Sequence, residues 1–449
     1  MTTAPARVET STARQALAAA FDATDRSHEP EWLAEARRAG RDHFADRGFP
    51  TRKDEDWKYT DLRALEKDAI TVATAAPQTI PDAIVGVRLD GATVVTMSNG
   101  HVTSVYEETV AGLTVHRLAD ALENPVLRDA IAHADRPDRH EHALTALNTA
   151  HFTDAIVLEI AEGATIEAPI QLIHVASGGD HTDGGRAASF PRVIISAGAG
   201  SRATIVESWI GATKDERAFT CAVIDAFVAA GARLDHVVLE DESRHTVHVG
   251  VRRADVARDA TYSSNVVSFG GEKARNELYV KLAETGAHCD MLGLYDLDGG
   301  QHVDNHTVID HAVGHTTSRE LYKGVLDDKS TGVFFGRILV REDAQQISAD
   351  QTNNNLLLSD EALVNSTPQL EIYADDVQCR HGSTIGQIEG EALYYLRSRG
   401  IPLDAARELL TFAFANEILD AIPVRQIRER LALRLTAVPD VSPFPSERS

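Results

Sequence analysis

The sequence predicts a mainly β protein with helical ends: a parallel β-helix core flanked by an N-terminal helical and mixed domain and a C-terminal helical domain. Three observations predict it. Near residue 155 the chain changes to short β-rich runs separated by Gly, Asp and Asn; a unit of about 28 residues then recurs; and helical periodicity returns near residue 388. A chain of 449 residues exceeds one ordinary compact core. The domains are placed at 1–150, 151–388 and 389–449.

The N-terminal part opens helically. In "EPEWLAEARRAGRDHFADRG", Leu33, Ala34, Ala36 and Ala39 lie among charges, and Gly48 follows as the helix stop. In "FPTRKDEDWKYTDLRAL", Trp57, Tyr59 and Leu62 are expected to pack as one aromatic anchor near a short helix. Strand-like runs follow in "IVGVRLDGATVVTMSNGHVTSVYE", and helical texture in "LENPVLRDAIAHA" and "HEHALTALNTAHF".

The core rests on a repeat in which a small or polar turn residue precedes a β-type run. Anchors fall at Ala203, Ala232, Ala260, Ala287, His315, Ala344 and Ala374, with successive spacings of 29, 28, 27, 28, 29 and 30 residues. Ala164 heads an earlier example, and a second strand-like run, such as "HTVHVGV", "NELYVKL" or "GVFFGRI", lies within most units. A unit with two strands and no helix cannot bury its own apolar face, so units must stack. A β-helix does this with an advance of about 4.8 Å per coil. β-Propeller units are longer, about 40 to 50 residues.

Beyond residue 388, "EGEALYYLRSRG" ends at Gly400, and "PLDAARELLTFAFANEILDAI" aligns Leu403, Leu410, Phe414 and Ile418. "VRQIRERLALRL" spaces Ile427, Leu431 and Leu435 by four. These three helices are expected to cap the last coil. The proline-containing tail "TAVPDVSPFPSERS" is expected to be disordered.

Composition excludes several functions. The formal net charge is −24, from 68 acidic against 44 basic residues, and no basic run is long enough to track phosphates. Nucleic acid and anionic membrane are therefore not expected partners. There is no signal-peptide-like stretch and no apolar run of membrane-spanning length, which places the chain in the cytoplasm. Cys221, Cys289 and Cys379 form no CxxC and leave one unpaired, which fits a reducing compartment.

Enzyme motifs are lacking. GxxxxGK[ST], GxSxG and HExxH do not occur, and "SGGDHTDGGRAAS" reads as a surface loop. The histidines of "QHVDNHTVIDHAVGH", at His302, His306, His311 and His315, would suit a metal on a helix. On a strand, residues four apart lie about 13 Å apart, so no ion is shared unless a turn gathers them. "SRELYKG" adds charged and aromatic groups with no identifiable mechanism.

The run "DDVQCRHGST" is different. On a strand, Cys379 and His381 project from one face with α-carbons about 6.6 Å apart, within reach of one iron or zinc ion. The same pair can equally be two ordinary strand residues. Clusters take about four protein ligands, and Cys289 and Cys221 lie 90 and 158 residues away, about three and six coils distant. A functional site must borrow ligands from a second polypeptide.

"EDWKYTDLRAL", "GQHVDNHTVIDH", "SRELYKGVLD" and the block from "QTNNNLLLSDEALVNS" through "DDVQCRHGSTIGQIEGEALYYLRSRGI" closely resemble the SufB/SufD family of iron–sulfur cluster assembly proteins. The resemblance is densest from Gln301 to Pro423. It implies a right-handed parallel β-helix between helical domains. "DEDWKYT" and "DDVQCRHGST" look like the SufD branch; SufB usually carries a glutamate near the position of His381 and a cysteine in the preceding coil. Here that coil, "LLLSDEALVNSTPQLEIYADD", has none.

The resemblance implies a noncatalytic scaffold subunit: a heterodimer with a SufB-type subunit through the β-helix, with SufC-type ATPases docked on the C-terminal helices. It implies a transient iron–sulfur cluster built at that interface and none held permanently by this chain, with His381 as ligand or iron-positioning group and Cys379 as the second candidate. It also allows a homodimer of the isolated chain. The alternatives are a self-sufficient SufB-like scaffold and a β-helix enzyme acting on polysaccharide.

Overall fold

The computed structural model describes residues 11–73, 83–105, 110–134, 143–178 and 185–436. Two sheets face each other across a lumen, and the chain lays one strand in each per coil. One sheet stacks Ile156–Ile160, Arg192–Ala197, Ala218–Val228, Val247–Val256, Lys273–Leu282, His302–His311, Thr331–Val340 and Leu363–Ile372. The other stacks Thr93–Ser98, Ile170–Ala176, Arg202–Gly211, Arg233–Asp241, Thr261–Ser268, His288–Leu297, Thr317–Leu326, Ile347–Leu357 and Val377–Gly386. All of these neighbours pair in parallel, as a β-helix requires. The antiparallel strands Leu113–Arg117 and His101–Val105 finish the first end, so strands upstream of residue 151 already belong to the sheets.

A stacked corner sets the repeat. Gly200, Gly231, Asp259, Gly286, His315 and Gln346 all have positive φ, between 53° and 80°. Each is followed by a buried residue: Ser201, Ala232, Ala260, Ala287, Thr316 and Ile347. The N–H of each left-handed residue donates to the next coil, as Gly231 does to the Arg258 carbonyl at 2.8 Å and His315 to that of Gln345 at 3.0 Å. Three predicted anchors, Ala232, Ala260 and Ala287, are these corner residues. Ala203 instead lies inside its strand, His315 is the left-handed residue before its corner, and Ala344 precedes Ile347 by three. The drift has a physical cause. Coil length varies along the rod, so the register step is 31 residues from Arg202 to Arg233, 27 from Thr261 to His288 and 31 again from Thr317 to Ser348.

Helices cover the outer walls. Glu31–Arg47, ended by Gly48 at φ 70°, packs with Pro125–Ala134 and Ala143–His151 over the first sheet. There Phe49, Leu127, Leu144 and Leu147 share a core with Phe219, Cys221, Val223, Val249 and Val251. Trp57 and Leu62 are buried but Tyr59 is not, so the expected three-residue anchor loses one member. Trp57 anchors to the β-helix itself: the Arg275 guanidinium lies 3.9 Å from its ring centroid. The end of the Gly-rich run also departs from the loop reading. Arg186–Ser189 is a buried strand, and Arg186 Nη2 meets Glu272 at 2.7 Å; residues 179–184 lie outside the described residues.

The C-terminal helices do not cap the last coil. Leu403–Asp420 and Arg425–Leu435 lie along the flank, where Ala415, Ile418, Leu419, Ile422, Ile427 and Leu431 pack on Ile173, Val206, Val237, Val267, Leu292 and Leu321 of the second sheet. That wall is apolar over several coils, so it takes more helical apolar surface out of water than one terminal coil can. Leu403 is consequently exposed, and the buried face runs through Ala406, Ala415 and Ile418 instead. The tail beyond residue 436 lies outside the described residues.

Lumen glycines make room for large neighbours. A Cβ on Gly293 would lie 2.2 Å from the Tyr322 ring, whereas one on Gly300 would meet nothing. Gly293→Ala is therefore expected to lower unfolding free energy by about 1–3 kcal/mol, read by denaturant titration, with Gly300→Ala within about 0.5 kcal/mol of wild type.

Candidate functional site

Strand alternation sorts every functional side chain into inward or outward columns. On Val377–Gly386 the inward residues are Cys379, His381, Ser383 and Ile385, since they pair with Ala349, Gln351, Asn353 and Asn355, and the first three of these partners are essentially sealed from solvent. Cys379 thus tops a column running down through Ala349, Ser318, Cys289 and Tyr262. His381 tops the column of Gln351, Glu320, Met291, Ser264 and His236. The structure therefore puts the predicted pair side by side on the inner face of the last coil.

Their surroundings differ. Cys379 is half-buried beside Val340, Ile347, Ala349 and Ala374, and burial raises its thiol pKa. His381 is exposed at the mouth. Outward neighbours fix the strand: Arg380 pairs with Asp350 at 2.8 Å and Thr384 Oγ1 donates to Asn354 at 2.8 Å.

Below the mouth the lumen is polar. Gln351 Nε2 donates to Glu320 Oε2 at 2.6 Å; Asn355 Nδ2 donates to Asn353 Oδ1 at 2.7 Å, and Asn353 Nδ2 to the Tyr295 hydroxyl at 3.1 Å. Ser366 Oγ donates to Asn353 Oδ1 at 2.7 Å, and Ser383 Oγ to Ser366 Oγ at 2.8 Å, which carries the chain of bonds to the rim. Deeper, His236 bridges Glu207 at 2.7 Å and the Tyr262 hydroxyl at 2.9 Å. Burial works against the Glu207 carboxylate, but the His236 hydrogen bond with the charges of His236 and Arg252 outweighs it and holds the carboxyl at about 2. Glu320 has no such cation, and burial pushes its carboxyl up to about 7.

The four histidines of the 302–315 run do not converge, in agreement with the two-faced strand reading. His302 and His306 point outward, to the Thr60 hydroxyl at 2.9 Å and to the Phe335 ring, stacked at 4.4 Å. His311 points into the lumen, between Thr316 Oγ1 at 2.7 Å and Ser318 Oγ at 2.9 Å, and burial lowers it to about 4. His315 turns the corner. "SRELYKG" also resolves by alternation: Glu320 and Tyr322 line the lumen, while Lys323 reaches outward to the Phe414 carbonyl at 2.9 Å and Glu417 at 2.7 Å. Gln351 and Glu320 were not singled out by sequence. The signal was the period of two in "RELYKG" and "QTNNN", read at the same register as "CRH".

Among the described residues no three His, Cys, Asp or Glu side chains gather as a metal set. Cys289 lies three register steps below Cys379, and Cys221 faces outward beneath the N-terminal helices, its thiol donating to the Leu144 carbonyl. Cys379 and His381 offer one soft and one borderline donor, half of a cluster's usual set.

Residues 179–414 match the SufBD core domain of the SUF system for FeS cluster assembly, and residues 15–172 match the SufBD protein N-terminal region. The chain belongs to the SufB/SufD family. It is 31% identical to the iron–sulfur cluster assembly protein SufD of Escherichia coli, over 86% of this chain and 89% of that protein. It is 29% identical to a SufBD-family iron–sulfur cluster assembly protein of Synechocystis, over 89% of both chains. A chloroplastic protein of Arabidopsis thaliana, ABCI7, is 29% identical over 85% of this chain and 81% of that one. These matches put the chain on the SufD branch, as the motifs implied. No helix among the described residues is long and apolar enough to cross a membrane.

Two predictions follow from burial. The raised Glu320 carboxyl stabilises the fold only while protonated, so its contribution is full below the ordinary value near 4.5 and is lost as pH rises through about 7. Relative to Glu320→Gln, wild type is expected to lose about 3 kcal/mol of unfolding free energy between pH 4.5 and 7.5, measured by denaturant midpoints. Native alkylation with iodoacetamide is expected to modify Cys379 slowly and leave Cys221 and Cys289 intact, with all three cysteines labelled after denaturation; peptide mass spectrometry reads the sites.

Proposed function

We propose that this chain is a noncatalytic SufD-type subunit of an iron–sulfur cluster assembly scaffold. One observation carries the reading: among the described residues, nothing covers the end of the rod that bears Cys379 and His381. Leu363–Ile372 and Val377–Gly386 are the outermost strands of their sheets there, so each presents an unpaired backbone edge. Leu363, Ile372 and Ile385 expose apolar surface beside those edges, and Tyr373 is 64% exposed. Such an edge is a template for strand addition by another chain. A SufB-type subunit laid across it would bring the ligands the two-residue half-site lacks. Iron and sulfide are then the substrates, and the His381 imidazole offers a borderline nitrogen donor suited to iron. The cluster is transient cargo of the interface, and the chain keeps no cofactor of its own.

The C-terminal helices are the docking platform for a SufC-type ATPase. Gly390–Ser398 follows directly on the site strand, and its Tyr394 and Tyr395 stand 76% and 57% exposed. The three free thiols, Cys221, Cys289 and Cys379, support a reducing, cytoplasmic setting.

The test is co-purification with SufB- and SufC-type partners, comparing wild type with His381→Ala, followed by iron and sulfide assay. Loss of iron and sulfide from an intact complex is expected; unchanged metal content overturns the assignment of His381. A C-terminal truncation that abolishes ATPase binding is expected to abolish cluster formation in the purified complex.

A further inference from the structure

Gln351 is fully buried directly beneath His381 and uses only half of its amide. Its Nε2 donates to Glu320 Oε2 at 2.6 Å, which fixes the amide's orientation, while its Oε1 is buried with no hydrogen-bond partner. A buried acceptor left unpaired has given up its hydrogen bonds to water and gained nothing in return. The site is shaped around this amide: a Cβ on Gly336, from the opposite sheet, would stand 2.5 Å from Gln351 Nε2. The residue paired with Gln351 on the next strand is His381, on the same inward column and one strand spacing, about 4.8 Å, away. An imidazole N–H is the donor nearest in register to that free oxygen.

We propose that Gln351, held by Glu320, is a positioning residue that accepts a ring N–H of His381, fixing one imidazole tautomer and turning the other ring nitrogen toward the open mouth. Ligating histidines are commonly held this way through their second nitrogen, and loss of such a partner weakens metal binding about 10- to 100-fold. The inference rests on the reading of His381 as a ligand, and adds what aims it. Glu320 acts one step further down the column: without its carboxylate, Gln351 Nε2 would be unpaired and the amide free to turn.

The test is the side-chain nitrogen spectrum of the full chain labelled with 15N-histidine, with His381 assigned by the signal missing in His381→Ala. At a pH where the imidazole is neutral, wild type is expected to show one protonated and one unprotonated ring nitrogen. Gln351→Met, close in volume but without hydrogen-bonding groups, is expected to show the averaged pattern of two exchanging tautomers. In the assembled complex the same substitution is expected to weaken binding of ferrous iron about 10- to 100-fold. An averaged pattern in wild type overturns the proposal, and so does an unchanged fixed pattern in Gln351→Met. If Gln351→Met does not fold, the wild-type spectrum decides alone. A fixed tautomer together with undiminished iron in the His381→Ala complex would keep the positioning role and remove the metal role, so the two failures are told apart.

Discussion

In-register parallel stacking is the constraint on which the rest of this molecule depends. Each coil places its inward side chains over those of the coil before, and nothing else can reach them. A polar residue in the lumen must therefore be satisfied by its own column, its neighbouring column or the facing sheet. Glu207, His236 and Tyr262 satisfy this rule across three coils, and Asn353, Asn355, Tyr295 and Ser366 satisfy it near the mouth. Glycines complete it: Gly293, Gly324 and Gly336 each leave the space that a tyrosine or glutamine side chain from an adjoining position fills. A polar lumen built this way is costly to disturb, because any one deletion strands a buried partner.

The same alternation lets one strand serve two surfaces. On Thr317–Leu326, Lys323 holds the C-terminal helix through the Phe414 carbonyl, while its neighbour Tyr322 packs in the lumen against Phe334, with ring centroids 5.2 Å apart. On His302–His311, His302 receives the N-terminal segment through Thr60, while Thr307 and His311 face inward. The helical ends are thus not appendages. The C-terminal helices grip the outer face of the sheet whose inner face carries the columns beneath Cys379 and His381, and the N-terminal segment grips the outer face of the facing sheet.

Much of this was legible in the sequence, for a physical reason: the repeat spacing is set by coil length, and coil length is a backbone property. The spacings that began at Ala232, Ala260 and Ala287 mark real corners. The reading drifted at His315 and Ala344 because the coil length changes there, with register steps of 27, 29 and 31 residues from Thr261 through His288 and Thr317 to Ser348. The placement of Cys379 beside His381 was equally legible, since spacing of two on a strand leaves no other choice. The column beneath them was not, because register between strands about 30 residues apart depends on turn lengths that composition does not reveal. The position of the C-terminal helices was missed for a related reason. Their periodicity shows an apolar stripe, but not which of several apolar surfaces, a terminal coil or a long outer wall, it will cover.

That choice has a consequence at the mouth. The first end of the rod is closed by strands that turn antiparallel, Leu113–Arg117 on one sheet and His101–Val105 on the other, which stops further parallel stacking. Among the described residues the last end has no such device: its strands run ten residues each, and Leu363, Ile372 and Ile385 expose apolar surface beside them. A long, partly apolar, unprotected edge is what folding alone selects against, since it invites uncontrolled association. The helices best placed to shield it lie along the flank. Retaining such an edge is consistent with a fold whose last coil is completed by another chain, and the two soft-to-borderline donors of the half-site lie on the strand that chain would meet.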